Sequence, residues 1–214
     1  ADYILDQARV SDSLEEAVSD CGCVIGATAR RRSLAWPLLD AGQVAARLVV
    51  EQQVTNCALV FGPEACGLSN AHLDLCHAHL RIDVNEAFPS LNVATAVAVM
   101  AYEFRKQSGL GALEPAVQSA EEETPMTMGE FDQLMTHLEI VLSKTAFLSG
   151  PKTKLLRKIR RLLLQGVKST QEVNILRGVL TSLEYALGIS DKEPQKRAQR
   201  EEQNTAKNNS TTPT

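Results

Sequence analysis

Residues 58–70 read ALVFGPEACGLSN, and after a polar spacer residues 81–103 read RIDVNEAFPSLNVATAVAVMAYE. Each string passes from a short strand-like run, through a turn bearing Gly, Ser or Asn, into a helix-like run. Ala58 to Phe61 is uninterruptedly apolar, as strands buried on both faces of a parallel sheet are. Gly62 to Gly67 then leads to a helix that Ser69 or Asn70 is placed to cap. Asn85 to Pro89 leads to a second one, from about Leu91 to Gln107, capped by Ser90. Backbone N–H groups at helix starts lack intrahelical partners, so these two turns predict a ligand site.

Outward from this stretch, strands and helices alternate. Ala8–Val10 is a candidate strand, and Ser11 or Ser13 ahead of Glu15 and Glu16 predicts a helix start. Cys23-Val24-Ile25-Gly26 predicts a second buried strand. It runs into Ala27-Thr28-Ala29 and three arginines, Arg30 to Arg32, at the end of a parallel strand where open α/β sheets bind ligands. The residues alone leave open whether these arginines bind an anion or are a solvated turn. Trp36-Pro37 is expected in an exposed loop. Asp40 to Gln53 predicts a capped helix and Leu80-Arg81-Ile82 a last short strand. The fold class is therefore α/β with a parallel sheet. The Leu91 helix is apolar on opposite stripes, one through Ala94, Ala98 and Ala101 and one through Val93, Val97, Met100 and Phe104, so both faces need covering.

Gly, Pro, Ala and the run Glu121-Glu122-Glu123 mark residues 109–126 as a linker. Residues 127–188 then predict a small all-helical domain, with apolar faces through Phe131, Leu134, Leu138, Val141 and Leu142, and through Val173, Leu176, Leu180, Leu183 and Leu187. Between them, Leu155, Leu156, Ile159, Leu162 and Leu163 fill one arc of a helical wheel, and Lys154, Arg157, Lys158, Arg160 and Arg161 fill the rest. Residues 189–214 are polar and expected to be disordered.

Charge follows the same division. Residues 1–139 carry 8 basic and 20 acidic side chains, and residues 140–214 carry 14 basic and 6 acidic. No acid lies between Glu139 and Glu172, while eight basic residues do. A solvated helix face normally mixes signs, so this segment predicts phosphate contact, with nucleic acid ahead of membrane. The longest charge-free run, Ala87 to Tyr102, is interrupted by Pro89, Ser90 and Asn92, and predicts no membrane span. ADYILDQ at residues 1–7 has no export pattern. The five cysteines form no CxxC pair and predict reduced thiols in the cytoplasm.

Several chemistries are disfavoured. Gly62 and Gly67 have P-loop spacing, but Leu68-Ser69 stand where Lys-Ser/Thr would be needed to reach phosphates and magnesium. Cys66, Cys76, His77 and His79 match no common zinc spacing, so no metal is expected. Cys66 has no base paired with it in the sequence and reads as a small packed residue. Glu64 reads equally as a ligand carboxylate or a helix-start charge, and Ser90 and Asn92 equally as site residues or plain caps.

ALVFGPEACGLSN followed by SLNVATAVAVMAYE resembles the second and third motifs of the SPOUT methyltransferases, in the branch that methylates ribose 2′-hydroxyls. CVIGATARRRSLAWPLLD (residues 23–40) and EVNILRGVLTSLEYAL (residues 172–187) are similar to the TrmJ-like tRNA methyltransferases, and the resemblance runs from about residue 8 to residue 187. It implies a SPOUT domain over residues 1–108 with a C-terminal trefoil knot that binds S-adenosylmethionine and forms a homodimer, followed by a helical RNA-binding extension. It implies that Thr28, Gly62, Glu64, Gly67, Ile82, Ser90 and Leu91 surround S-adenosylmethionine. Ser90 and Asn92 would border the reacting hydroxyl, as catalytic residues. Arg30, Arg31, Lys154, Arg157, Lys158, Arg160 and Arg161 would bind RNA, with tRNA methylated in the anticodon loop. The second face of the Leu91 helix would be covered by the dimer partner. The family's deprotonating arginine sits in an Asn/Gly-bearing loop that these residues lack. The resemblance therefore implies an N-terminally incomplete pattern and a chain inactive alone. Pro63 replaces a usual arginine. Ribosomal RNA methylation and a non-catalytic RNA-binding module are the alternatives.

Overall fold

The computed structural model describes residues 3, 6–29, 36–85, 91–109, 123–148 and 152–188. In chain order the elements are α1 (Leu14–Ala17), β1 (Cys21–Ala27), β2 (Leu38–Leu39), α2 (Ala41–Glu51), β3 (Asn56–Val60), α3 (Asn70–Asp74), β4 (Ala78–Leu80), α4 (Val93–Gly109), α5 (Met128–Ser143), a short 3-10 turn (Ala146–Leu148), α6 (Lys152–Gly166) and α7 (Thr170–Ala186). The strands form one sheet in the order β2-β4-β1-β3, with every pairing parallel. Ile25 of β1 lies opposite Leu59 on one side and Ala78 on the other.

β1 is the centre of the molecule because its side chains are covered on both faces, with Cys23, Val24 and Ile25 all at 0% exposure. Side chains alternate along a strand. Cys23 and Ile25 meet Val44 and Leu48 of α2 and Met100 of α4. Val24 enters a second core with Trp36, Leu75 and Cys76, and this core continues without a break into Met128, Phe131 and Leu134 of α5, Leu164 of α6 and Val173 and Leu180 of α7. Cys21 joins the Val24 side because the register with β3 shifts between Cys21 and Cys23. The C-terminal helices are thus the second outer layer of an α/β/α arrangement. The Gly129 N–H donates to the Ser19 carbonyl at 2.9 Å and adds a backbone link between them and the strand that follows.

Local signals set the helix starts. Asp40, Ser69, Thr127 and Ser169 each cap a helix in a reciprocal capping box, with Gln43, His72, Glu130 and Glu172 as the returning side chains. Ser13 caps α1. The Pro125 to Ser169 bridge and the Met126 N–H to Lys168 carbonyl bond (2.9 Å) tie the entry of α5 to the entry of α7.

Several expectations are corrected. Ala8–Val10 is irregular, with Val10 99% exposed, and pairs with no strand among the described residues. Trp36 is buried at 8% exposure, its ring 5.4 Å from that of His79, and the Leu38–Leu39 strand that follows pairs with β4. The last strand ends at Leu80, two residues earlier than predicted. α4 starts at Val93 rather than Leu91, because Asn92 Oδ1 accepts the Ala94 N–H at 2.9 Å and takes the cap. In α6, Ile159 and Leu163 pack against the core as expected, but the buried residue is Leu164, at 1% exposure, and Leu162 is 63% exposed. Only Ala96 and Met100 of α4 are buried, and Val97 and Tyr102 stand exposed on its other side. Residues 110–122 and the tail from 189 lie outside the described residues. Among the described residues no helix is long and apolar enough to cross a membrane.

His77 shows how the second core is closed. Its backbone N–H donates to the Val24 carbonyl at 2.8 Å, and its ring Nδ1 accepts the Val24 N–H at 3.0 Å, an arrangement that needs the neutral ring. Burial, ahead of the nearby Arg47 and Lys168 charges, pushes its pKa from 6.5 down to about 4. Between these values the unfolded chain holds the extra proton. Stability is therefore full above pH 6.5 and falls as pH drops through the window toward 4, by on the order of 3 kcal/mol. Urea unfolding at pH 7, 5.5 and 4.5 checks this. The midpoint should fall with pH in the native chain and less steeply in His77→Gln, and a flat native profile contradicts it.

Candidate functional site

The carboxyl ends of β1, β3 and β4 and the segments beyond them enclose a cleft of about 360 Å³. Its walls are Ala27 at the end of β1 with Thr28 and Ala29 beyond it, Phe61 to Leu68 after β3, Leu80, Ile82 and Val84 around the end of β4, and Leu91, Val93 and Ala96 at the start of α4. The volume lies in the range of small-molecule sites, which run from roughly 300 to 1,000 Å³ and combine apolar walls with a few polar groups.

The turn after β3 is shaped by two glycines for different reasons. The Pro63 carbonyl accepts the N–H groups of Cys66 (3.3 Å) and Gly67 (2.7 Å), which folds the chain back on itself. Gly67 completes the turn at φ +64°, in the left-handed region. Gly62 lies against the returning arm, where a Cβ would be 2.3 Å from both Gly67 C and Leu68 N. The loop closes only because residue 62 has no side chain.

One side-chain pair joins this loop to α4. Asn92 Nδ2 donates to Glu64 Oε1, while Asn92 Oδ1 receives the Ala94 N–H. Asn92 is therefore both the cap of α4 and the strap holding the cleft wall. The Thr28 N–H donates to the Leu80 carbonyl at 2.9 Å and extends the β1–β4 pairing to the rim.

Of the residues nominated from sequence, Thr28, Gly62, Glu64, Gly67, Ile82 and Leu91 line this one cleft, and Asn92 stands behind its wall on Glu64. Ser90, Arg30 and Arg31 lie outside the described residues. Phe61, Leu80, Val84, Val93 and Ala96 were missed as wall residues. Phe61 and Leu80 read as buried strand residues and Val93 as part of a helix face, while Val84 and Ala96 carried no expectation. Among the described residues no group of His, Cys, Asp or Glu could hold a metal ion. Burial pushes the Cys76 thiol up to about 12, which leaves it an inert packed group.

The basic helix α6 is divided by its contacts. Lys154 and Lys158 are exposed. Arg157 instead forms a two-pronged pair with Asp74, Nε to Oδ2 and Nη2 to Oδ1, the latter at 2.9 Å. Arg160 donates from Nε to the Asp74 carbonyl at 2.8 Å and from Nη2 to Asp132 Oδ1, and its guanidinium lies 5.1 Å from the centre of the Phe131 ring. Arg161 is half-buried. The wheel predicted five phosphate ligands on one arc; of these, Arg157 and Arg160 are committed to Asp74 and Asp132 within the chain.

The profile of the SpoU rRNA Methylase family matches residues 2–102, and that of the tRNA methyltransferase TrmJ C-terminal domain matches residues 129–203. The tRNA (cytidine/uridine-2′-O-)-methyltransferase TrmJ of Shigella dysenteriae is 39% identical over 186 residues, covering 86% of this chain and 76% of the relative. The protein of the same name from Escherichia coli K12 is also 39% identical, over 86% of this chain and 75% of its own. The crystal structure of TrmJ from Z. mobilis ZM4 superposes with a TM-score of 0.72 at 32% identity, covering 86% of this chain and 76% of that one.

The two glycines should respond differently to alanine. Gly67→Ala meets no atom within 4 Å and costs about 1–2 kcal/mol for its left-handed backbone. Gly62→Ala forces the loop arms apart, costs at least as much, and reshapes the cleft. Thermal unfolding of both variants checks this: both should melt below the native chain, and Gly62→Ala at least as far below it as Gly67→Ala.

Proposed function

Because the chain belongs to the TrmJ family of SpoU-type RNA methyltransferases, we propose that it transfers the methyl group of S-adenosylmethionine to a ribose 2′-hydroxyl of tRNA, in the anticodon loop. The observation that carries this reading is the cleft itself. Both sequence motifs of the resemblance meet in it, at the carboxyl ends of parallel strands, where α/β sheets take ligands.

The residues fit the donor. The apolar walls of Leu80, Ile82, Val84 and Leu91 suit a flat adenine, and the close turn at Gly62 and Gly67 brings backbone rather than side chains to the ligand. S-adenosylmethionine, when bound, supplies an electrophilic methyl group on a sulfonium. The remaining task for the protein is alignment and removal of one proton from the hydroxyl. We assign Asn92 and Glu64 to alignment, since each is satisfied by the other and together they fix the loop against α4. Ser90, two residues before that cap, is assigned to the acceptor side. The same apposition of the 61–68 loop to the start of α4 supports the trefoil knot of the family. The exposed side of α4, with Val97 and Tyr102, is the proposed homodimer face. α5 to α7 are proposed as the RNA-binding extension and the cytoplasm as the setting, in keeping with the five unpaired cysteines.

The test is incubation of the intact gene product with methyl-labelled S-adenosylmethionine and bulk tRNA, followed by digestion to nucleosides. Label is expected in a 2′-O-methylated pyrimidine nucleoside from the anticodon loop. Label in a base, or transfer to ribosomal RNA in preference to tRNA, overturns the assignment.

The exposed lysines of α6 carry the RNA side of the proposal. Replacing Lys154 and Lys158 by Gln should weaken tRNA binding and reduce the slope of log K against log salt by about 2, one counterion for each lost phosphate contact. Fluorescence anisotropy between 50 and 200 mM salt reads this directly, and an unchanged slope would show the lysines to be a solvated face.

A further inference from the structure

We propose that Asp74, Arg157 and Arg160 form a positioning clamp, which fixes the basic helix α6 relative to the cleft loop and so orients tRNA without these arginines touching it. The inference rests on the reading above that α6 faces tRNA and the cleft holds the methyl donor.

Asp74 is poorly placed by local criteria. It is the last residue of α3, where a carboxylate opposes the helix dipole, and the residue is only 8% exposed. A buried carboxylate persists only if it is paired. Both of its oxygens are taken by Arg157, and its backbone carbonyl is taken by Arg160. Arg160 reaches on to Asp132 of α5, so one guanidinium joins α3, α5 and α6. This use needs the planar fork of arginine, which lysine lacks.

α3 in turn is bound tightly to the cleft. It follows directly from the Gly62 to Leu68 loop, and Leu68 and Leu73 press on Gly26 near the carboxyl end of β1, where a Cβ would lie 3.1 Å from Leu68 and 3.0 Å from Leu73. Gly67 and Leu68 are themselves cleft walls. A continuous path of contacts therefore runs from Arg157 through Asp74 and Leu73 to the donor loop. Its role is to hold bound tRNA and donor in register, since small misplacements cost far more in rate than in affinity.

The experiment compares Asp74→Asn, Arg157→Gln, Arg157→Lys and the double variant Asp74→Asn/Arg157→Gln in the intact gene product, with circular dichroism confirming the fold. We expect each single variant to lower kcat for tRNA roughly tenfold or more while tRNA Kd changes less than about threefold and the salt slope stays constant. The double variant should be no worse than either single one, because one interaction is lost in all of them. The charge-swapped pair Asp74→Arg/Arg157→Asp should recover part of the rate. Arg157→Lys separates the roles, since it should resemble Arg157→Gln if the fork matters and the native protein if a phosphate is the partner. An Asp74→Asn variant with native kcat, or an Arg157→Gln variant whose salt slope falls by about 1, overturns the clamp alone. A native protein that binds no tRNA overturns the functional reading beneath it.

Discussion

The molecule depends on the burial of β1 from both sides. A central parallel strand carries apolar side chains on two faces, and each face must be removed from water by a different set of helices. One cover is supplied by α2 and α4. The other comes from α5 to α7, more than a hundred residues downstream of Val24, the residue they shield. The helical extension therefore covers the sheet as well as extending the surface, and the two parts share one contiguous core. That sharing constrains what either part can do independently.

The cleft is a consequence of the same geometry. Strands β1, β3 and β4 end together, and their following segments must diverge to reach opposite layers. The gap that opens is closed on one side by the Gly62 and Gly67 turn and held on another by the Glu64–Asn92 pair. In the basic helix, Arg157 and Arg160 pair with Asp74 of α3 and Asp132 of α5, while Lys154 and Lys158 stand at the surface.

What could be read from the sequence was what depends on near neighbours. The runs at Cys23–Gly26 and Ala58–Phe61 announce buried strands because no charge interrupts them. Asp40 and Ser69 announce caps because their partners lie three residues on. Cleft residues clustered legibly because a turn between strand and helix is a local event, and the family resemblance supplied roles that local patterning leaves open. The failures share a different origin. Trp36 looked like a loop residue because Pro37 follows it, yet His79, far along the chain, provides its partner. Arg157 and Arg160 looked like phosphate ligands because no acid lies nearby in sequence; Asp74 and Asp132 are supplied by the fold. The boundary of β4 moved because a three-residue strand offers too little periodicity to locate its end.

The position of Trp36 gives the protein a built-in optical reporter. It is the sole indole in the chain, it is buried in the core where sheet and C-terminal helices meet, and it lies beside an imidazole. Its emission is therefore sensitive to the seam between the two layers rather than to the molecule at large. Separation of the helices from the sheet would wet the ring and shift its spectrum to the red even where helicity, seen in the far ultraviolet, is unchanged. Parting of the layers and melting of the helices are thus distinguishable without attaching any dye.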